Sequence, residues 1–374
     1  MNTKIWLSSP HMSGKEQQYI DDAFKSNWIA PLGPNVTGFE SDIQSYLGEG
    51  SNVAVLSSGT AAIHLGLVLL GVAKGDEVIC QSKTFSASAN PIAYLGATPI
   101  FVDSESDTWN ICPEQLEIAI KDRIAKGKKP KAIIAVHLYG MPYKVSEINR
   151  VAETYNIPVL EDSAEALGST YSNEKCGTFG TISILSFNGN KIITTSGGGA
   201  LVTKDKSIKD KAVFLATQAR DNAVEYLHSQ IGYNYRMSNV IAGIGRGQMQ
   251  VIDNRVELRR QNYNFYESHL KNINEITFLS EPKGHFSNRW LSCILTNSEK
   301  TREGLRIALE KENIESRPLW KPMHQQPVFL ECPKYLNGVS DDLFKKGLCL
   351  PSGSNLTDNE KNRVLSTIQA YFDN

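Results

Sequence analysis

Short strand-like runs recur along the first part of the chain, at 53–56, 77–80, 98–102, 132–137, 159–161, 182–186 and 200–203. Helical patterns at 61–70, 114–120 and 144–153 separate most of them. Strands that alternate with helices pair in parallel, because parallel neighbours need a crossover connection. The alternation therefore predicts an α/β protein whose seven strands form a mixed, mostly parallel sheet between helices. The runs at 182–186 and 200–203 are joined by a loop and not by a full helix, so an antiparallel pair is expected there. From Ser238 a long helical pattern carries Ile244, Met249, Val251, Ile252 and Val256 to about Asn264. Strand runs at 277–279 and 290–295 and a helix near 301–312 follow. A chain of 374 residues exceeds one compact core. The expected division is a large domain over 1–250 and a smaller α+β domain over 251–374.

Composition narrows the class. Hydrophobic residues make up 41% and charged residues 21%, with a net charge of −1, as in an ordinary soluble globular protein. No basic run suggests a nucleic-acid surface; the lysine-rich stretch 121–131 reads as a solvated helix end. The N-terminal residues lack a hydrophobic signal region and no apolar stretch reaches membrane-spanning length. No nucleic-acid or membrane partner is expected, and the location is expected to be cytoplasmic. The six cysteines (80, 112, 176, 293, 332, 349) are scattered along the sequence and read as reduced. They and the seven histidines show no metal-type spacing, so no metal is expected.

Four segments at strand ends carry the chemistry. Lys191 lies in 186–200, after an apolar run, with Ser186 five residues earlier and Gly197, Gly198 and Gly199 just after it. A lysine amine can do covalent carbonyl chemistry when it is held in place and readily deprotonated; otherwise it is a surface residue. Ser58, Gly59 and Thr60 fall at the start of a helix, where free amides attract an anion, or where Ser and Thr simply cap. Glu161 and Asp162 fall at the C-terminal end of a strand, where open parallel sheets bind ligands; Asp162 could equally be a helix cap. Phe85, in the stretch 81–91 that reads as a small-residue loop, could cover an aromatic ligand or sit in the core.

Taken together, an anion cradle, an aromatic lid, a carboxylate and an amine are what pyridoxal phosphate needs. The motifs Ser-Gly-Thr-Ala-Ala at 58–62, Glu-Asp-x-Ala-x-Ala-x-Gly at 161–168, Ser-x-x-x-x-Lys at 186–191 and Gly-Tyr-Asn-Tyr-Arg-Met at 232–237 resemble, in order and spacing, the DegT-type sugar aminotransferases of fold-type I. The resemblance runs from about Leu7 to the C-terminal helix. It implies pyridoxal 5'-phosphate as cofactor, with Lys191 as the Schiff-base lysine and proton shuttle and Asp162 facing the pyridine nitrogen. It also implies that Ser58, Gly59, Thr60 and Ser186 hold the phosphate and that Phe85 stacks on the ring. By the same resemblance, Glu165 is expected near the cofactor's phenolic oxygen, where many family members carry Gln or His. Asn234 resembles a residue that reaches the phosphate from a partner subunit, which implies a homodimer with shared active sites; otherwise it is a turn residue.

Segments 27–33, 191–199 and 315–324 resemble the branch that aminates a UDP-linked 4-keto-6-deoxy-N-acetylhexosamine with L-glutamate, on the route to bacillosamine-type sugars. Arg220, Arg317, Trp320 and His324 are candidates for the nucleotide-sugar side, since Arg suits a diphosphate and Trp suits stacking. Trp320 could instead belong to the core of the smaller domain, and His324 reads as a polar contact. The alternatives are a GDP-perosamine synthase-like or dTDP-keto-sugar aminotransferase, a sugar dehydratase of the same fold, or a non-catalytic sensor. Dehydratases of this kind lack the lysine, so Lys191 argues against that one.

Overall fold

The protein was analysed as a computed structural model, which describes residues 3–373. Two helices, α1 (Glu16–Lys25) and α2 (Pro34–Leu47), precede the alternating region. There β1 (Asn52–Leu56), α3 (Gly59–Leu69), β2 (Glu77–Gln81), α4 (Ser86–Tyr94), β3 (Thr98–Val102), α5 (Pro113–Ala125), β4 (Ala132–Val136), α6 (Val145–Thr154) and β5 (Val159–Asp162) follow in turn. A small excursion, β6 (Thr170–Tyr171) and β7 (Glu174–Lys175), leads to β8 (Ile182–Ser186), β9 (Gly199–Thr203) and α7 (Lys206–Ala216). Strands β2 and β4 are buried along their whole length. Helices cover both faces of the sheet, which is why these strands read as continuous apolar runs instead of alternating ones.

The seven expected strands share one sheet, and β9 alone among them runs antiparallel, to both β1 and β8. An eighth strand extends it. The order is β1-β9-β8-β5-β4-β2-β3-β14, where β14 (Lys334–Tyr335) lies parallel to β3. Sheet edges present unpaired amides and carbonyls, and here the later chain satisfies them: the Phe101 amide donates to Pro333 O and the Asp103 amide to Tyr335 O. Two residues are too short a run to show a strand period in sequence.

The long helix expected from Ser238 is broken. It forms α8 (Asn239–Met249) and α9 (Ile252–Leu270), because Val251 leaves helical geometry at φ −123°, ψ 11°. Apolar spacing continues across the break and so does not register one non-helical residue. Along α8 the absence of a side chain at Gly247 admits the backbone of α1: a Cβ there would lie 2.7 Å from the Glu16 nitrogen.

The remaining elements are β10 (Ile276–Phe278), β11 (His285–Phe286), β12 (Ser292–Thr296), α10 (Glu299–Lys311), β13 (Arg317–Pro318), α11 (Val339–Lys346), β15 (Gly347–Leu350) and α12 (Asp358–Phe372). A four-stranded antiparallel sheet, β10-β12-β15-β13, packs with α9, α10 and α12 around its own apolar cluster. Two features cross the line between 250 and 251. One is β14 in the large sheet; the other is Ile5, which bridges Ile314 and belongs to the C-terminal cluster. The antiparallel register also brings Cys293 opposite Cys349, with sulfurs 3.7 Å apart, a pair that their separation in sequence hides.

Candidate active site

Parallel pairing brings the C-terminal ends of β2, β4, β5 and β8 to one edge of the sheet, the edge at which α/β folds bind ligands. A cavity of about 310 Å3 lies there, lined by residues from α3, α4, β5, β8, the Lys191 loop and the segment near Trp320.

One wall is the start of α3. Ser58 is its N-cap, and its hydroxyl accepts from the Ala61 amide. The first amides of a helix have no intrahelical acceptor, which leaves those of Gly59 and Thr60 for an anion. A Cβ at Gly59 would stand 3.0 Å from the Ser186 Cβ, so a side chain there would press on Ser186. Ser58 therefore caps the helix beside the open amides of Gly59 and Thr60.

The next wall is the end of β5. Adjacent strand residues point to opposite faces, and this separates the two carboxylates. Glu161 turns into the protein, where it accepts from His137 Nε2 and Ser183 Oγ, each at 2.7 Å, and from the amides of Gly177, Phe179 and Gly180. Burial pushes its carboxyl up, but these bonds outweigh burial and hold it at about 2. Asp162 faces the cavity. Its Oδ2 accepts from Ser88 Oγ at 2.6 Å and its Oδ1 from the Ala164 amide at 3.1 Å. Burial raises the Asp162 carboxyl, while Ser88, the Ala164 amide, Lys191 and His137 pull it down.

Lys191 enters from the β8–β9 loop. Its Nζ lies 3.3 Å from Glu165 Oε1 and 4.2 Å from the centre of a Trp290 ring. Glu165 is fixed by the Tyr139 amide, which donates to its Oε2 at 2.6 Å. Burial pushes the Glu165 carboxyl up to about 7 against the pull of Lys191 and that amide. Tyr139 itself sits at φ 53°, an uncommon setting for a side-chain-bearing residue and one that recurs at functional sites. Behind the loop, the buried Arg259 donates to Lys191 O, Trp290 O, Ser352 O and Ser8 Oγ. It thus ties the lysine segment to both ends of the chain.

The open side is aromatic. Phe85 and Trp320 have ring centres 5.3 Å apart, and Trp320 also contacts Tyr139 and Trp290. Phe85 is the N-cap residue of α4, so the stretch read from sequence as a loop is helical from Ser86 onward.

The fold thus brings nine of the expected residues to one cavity: Ser58, Gly59, Thr60, Phe85, Asp162, Glu165, Ser186, Lys191 and Trp320. The other four lie elsewhere. His324 is buried, with Nδ1 bonded to Ser82 Oγ at 2.7 Å and Nε2 2.9 Å from Asp341, so both ring nitrogens are engaged inside the protein. Arg317 is exposed and paired with Glu315. Arg220 lies on the surface over the Tyr226 ring. Asn234 is exposed and bridges Thr217. Sequence reasoning missed Ser88, Trp290 and the Tyr139 amide. A Ser three residues beyond Phe85 on a recognised helix would have signalled the first; no sequence pattern marks the other two.

These residues fit pyridoxal phosphate. The open amides of α3 and the Ser186 hydroxyl, which has no protein partner among the described residues, suit a phosphate. A buried carboxyl faces the cavity where a ring nitrogen needs one, and the lysine amine stands across from it.

Residues 10–369 match the DegT/DnrJ/EryC1/StrS aminotransferase family. The chain belongs to that family. It is a pyridoxal phosphate-dependent sugar aminotransferase of fold-type I. It is 50% identical to EpsN of Bacillus subtilis (strain 168), provisionally named a pyridoxal phosphate-dependent aminotransferase, over 100% of this chain and 97% of that one. It is 38% identical to the GDP-perosamine synthase of Escherichia coli O157:H7, over 98% of each chain. The crystal structure of a DegT DnrJ EryC1 StrS aminotransferase from Brucella abortus superposes with a TM-score of 0.90 at 29% identity, covering 96% of each chain. Among the described residues, no helix is long and apolar enough to cross a membrane.

Proposed function

We propose that this aminotransferase moves an amino group from L-glutamate to the 4-position of a UDP-linked 4-keto-6-deoxy-N-acetylhexosamine. The observation that carries the chemistry is the placement of Lys191, Asp162, Glu165 and the open end of α3 around one cavity. When bound, pyridoxal phosphate supplies an aldehyde carbon and an electron-withdrawing ring. The chain's residues do the rest. The amides of Gly59 and Thr60, with Ser186, bind the phosphate, and Phe85 covers the ring. Asp162 keeps a proton on the ring nitrogen, because an opposite charge nearby favours the charged form of each partner. Lys191 Nζ would hold the cofactor at its aldehyde carbon and, when free, would serve as the base and then the acid that moves the substrate proton. Glu165 holds Lys191 in line.

Two of the three segments that resemble the UDP-sugar branch, 191–199 and 315–324, contribute Lys191, Gly197, Gly198 and Trp320 to the cavity. The apolar faces of Phe85 and Trp320 suit a deoxygenated sugar carbon. A GDP-linked substrate is the second reading, supported by the 38% identity to GDP-perosamine synthase. Comparing kcat/KM for UDP-, GDP- and dTDP-linked keto-sugars separates the two, since a site that hydrogen-bonds one base rejects others strongly. Equal or better turnover of the GDP substrate overturns the first reading and leaves the cofactor chemistry intact.

We also propose a homodimer with shared sites. Asn234 does not line the cavity of its own chain, and the segment before it exposes Val224, Tyr226 and Ile231. A second copy would cover these side chains and bring its Asn234 to the phosphate.

A further inference from the structure

We infer that Ser88 is a positioning residue that aims Asp162 and keeps it ionised, with Thr84 behind it as the second link of a hydroxyl chain. The inference rests on the reading of Asp162 as the partner of a cationic ring nitrogen. Ser88 Oγ lies 2.6 Å from Asp162 Oδ2, and Thr84 Oγ1 lies 2.7 Å from Ser88 Oγ. All three residues are buried, and all three line the cavity. An ionised carboxylate only accepts, so Ser88 spends its single proton on Asp162 and the Thr84 hydroxyl donates to Ser88. The direction of the chain is fixed by that one fact.

Donors to a charged acceptor are the stronger class of hydrogen bond, and each favours ionisation. Asp162 needs them. Its other charged or titratable neighbours are Lys191 from the β8–β9 loop, Glu165 from the turn after β5, His137 after β4 and Cys80 on β2. Lys191 supports the ionised form, but it is the group proposed to become engaged with the cofactor and then displaced. Glu165 opposes it when charged. Ser88 is the side-chain donor whose bond to Asp162 is independent of the reaction.

The chain has a second effect. Thr84 and Ser88 flank Phe85, and the Ser88 amide donates to Phe85 O. One turn of chain therefore carries both the aromatic lid and the bond that orients the carboxylate. Ring stacking and ring-nitrogen pairing are set by the same short segment.

The test is the affinity of the cofactor-free protein for pyridoxal phosphate as a function of pH, by fluorescence quenching. The phosphate of the ligand titrates alike for every variant, so differences between variants report the protein. For Ser88→Ala, loss of a bond to a buried charged group weakens binding about tenfold at pH 7.5. The acid limb of the affinity profile moves to higher pH, because Asp162 then protonates more easily. Ser88→Thr restores both, and Thr84→Val shows the same change in smaller measure while leaving Ser88 its acceptor. A Ser88→Ala profile parallel to wild type at every pH overturns the inference, as does failure of Ser88→Thr to restore it while the melting transition stays normal. Asp162→Asn separates the inference from its premise: wild-type affinity in that variant refutes the role of Asp162 itself.

Discussion

Replacing Glu165 with Gln should make the cofactor-free protein more stable at alkaline pH and leave it unchanged, or slightly weaker, near pH 5. Burial raises this carboxyl from the usual 4.5 to about 7. A raised acid binds its proton more tightly in the folded state than in the unfolded one. Between the two values the folded protein therefore carries more protons, and stability falls as pH rises through that window. At about 1.4 kcal/mol per pKa unit, the loss is about 3 kcal/mol, complete by pH 8. Gln keeps an acceptor for the Tyr139 amide but loses the ion pair to Lys191 at 3.3 Å. The pull of Lys191 is already contained in the raised value, so the expected gain at pH 8 is about 3 kcal/mol. Urea unfolding of both proteins at pH 5 and pH 8, with equal slopes required, gives the difference directly. A variant-minus-wild-type difference that is the same at both pH values refutes the reasoning, because it would mean that Glu165 does not change its protonation in that window.

Lys191→Ala should retain pyridoxal phosphate through the phosphate and ring contacts, while turnover falls by several orders of magnitude; activity near wild type would remove Lys191 from the centre of the reaction. Gly59→Ala should weaken cofactor binding by about tenfold or more, since the new Cβ would stand 3.2 Å from Ser186 Oγ, the hydroxyl offered to the phosphate; unchanged affinity in a dialysis experiment would show that the cradle lies elsewhere. Mixing Lys191→Ala subunits with Asn234→Ala subunits should restore part of the activity, through hybrid dimers that hold one intact site; a fully active monomer at assay concentration would exclude shared sites.

The sheet was legible because parallel β/α alternation imposes a period on sequence. The cradle at 58–60 and Asp162 were legible because each sits where a strand run ends. What stayed hidden depends on contacts without period. The two residues of β14 are chosen by the open edge of β3, and no propensity marks them. His324 looked available because a histidine near Trp320 gives no sign of the Ser82 and Asp341 that occupy its nitrogens. Ser88 escaped because reading 81–91 as a loop removed the helical spacing that aims it at Asp162. The break at Val251 is a backbone event inside an unbroken apolar pattern.

Arg259 gives the site an order of assembly. Its guanidinium bonds the carbonyl of Lys191 together with Ser8, early in the sequence, and Ser352, late in it. During synthesis the cradle, the carboxylate and the lysine all leave the ribosome long before Ser352 does. The lysine loop of a nascent chain thus lacks one of its fastenings until the last strand and the turn after it have emerged. A chain cut short before that point carries the lysine loop without the Ser352 carbonyl that shares the Arg259 guanidinium with it.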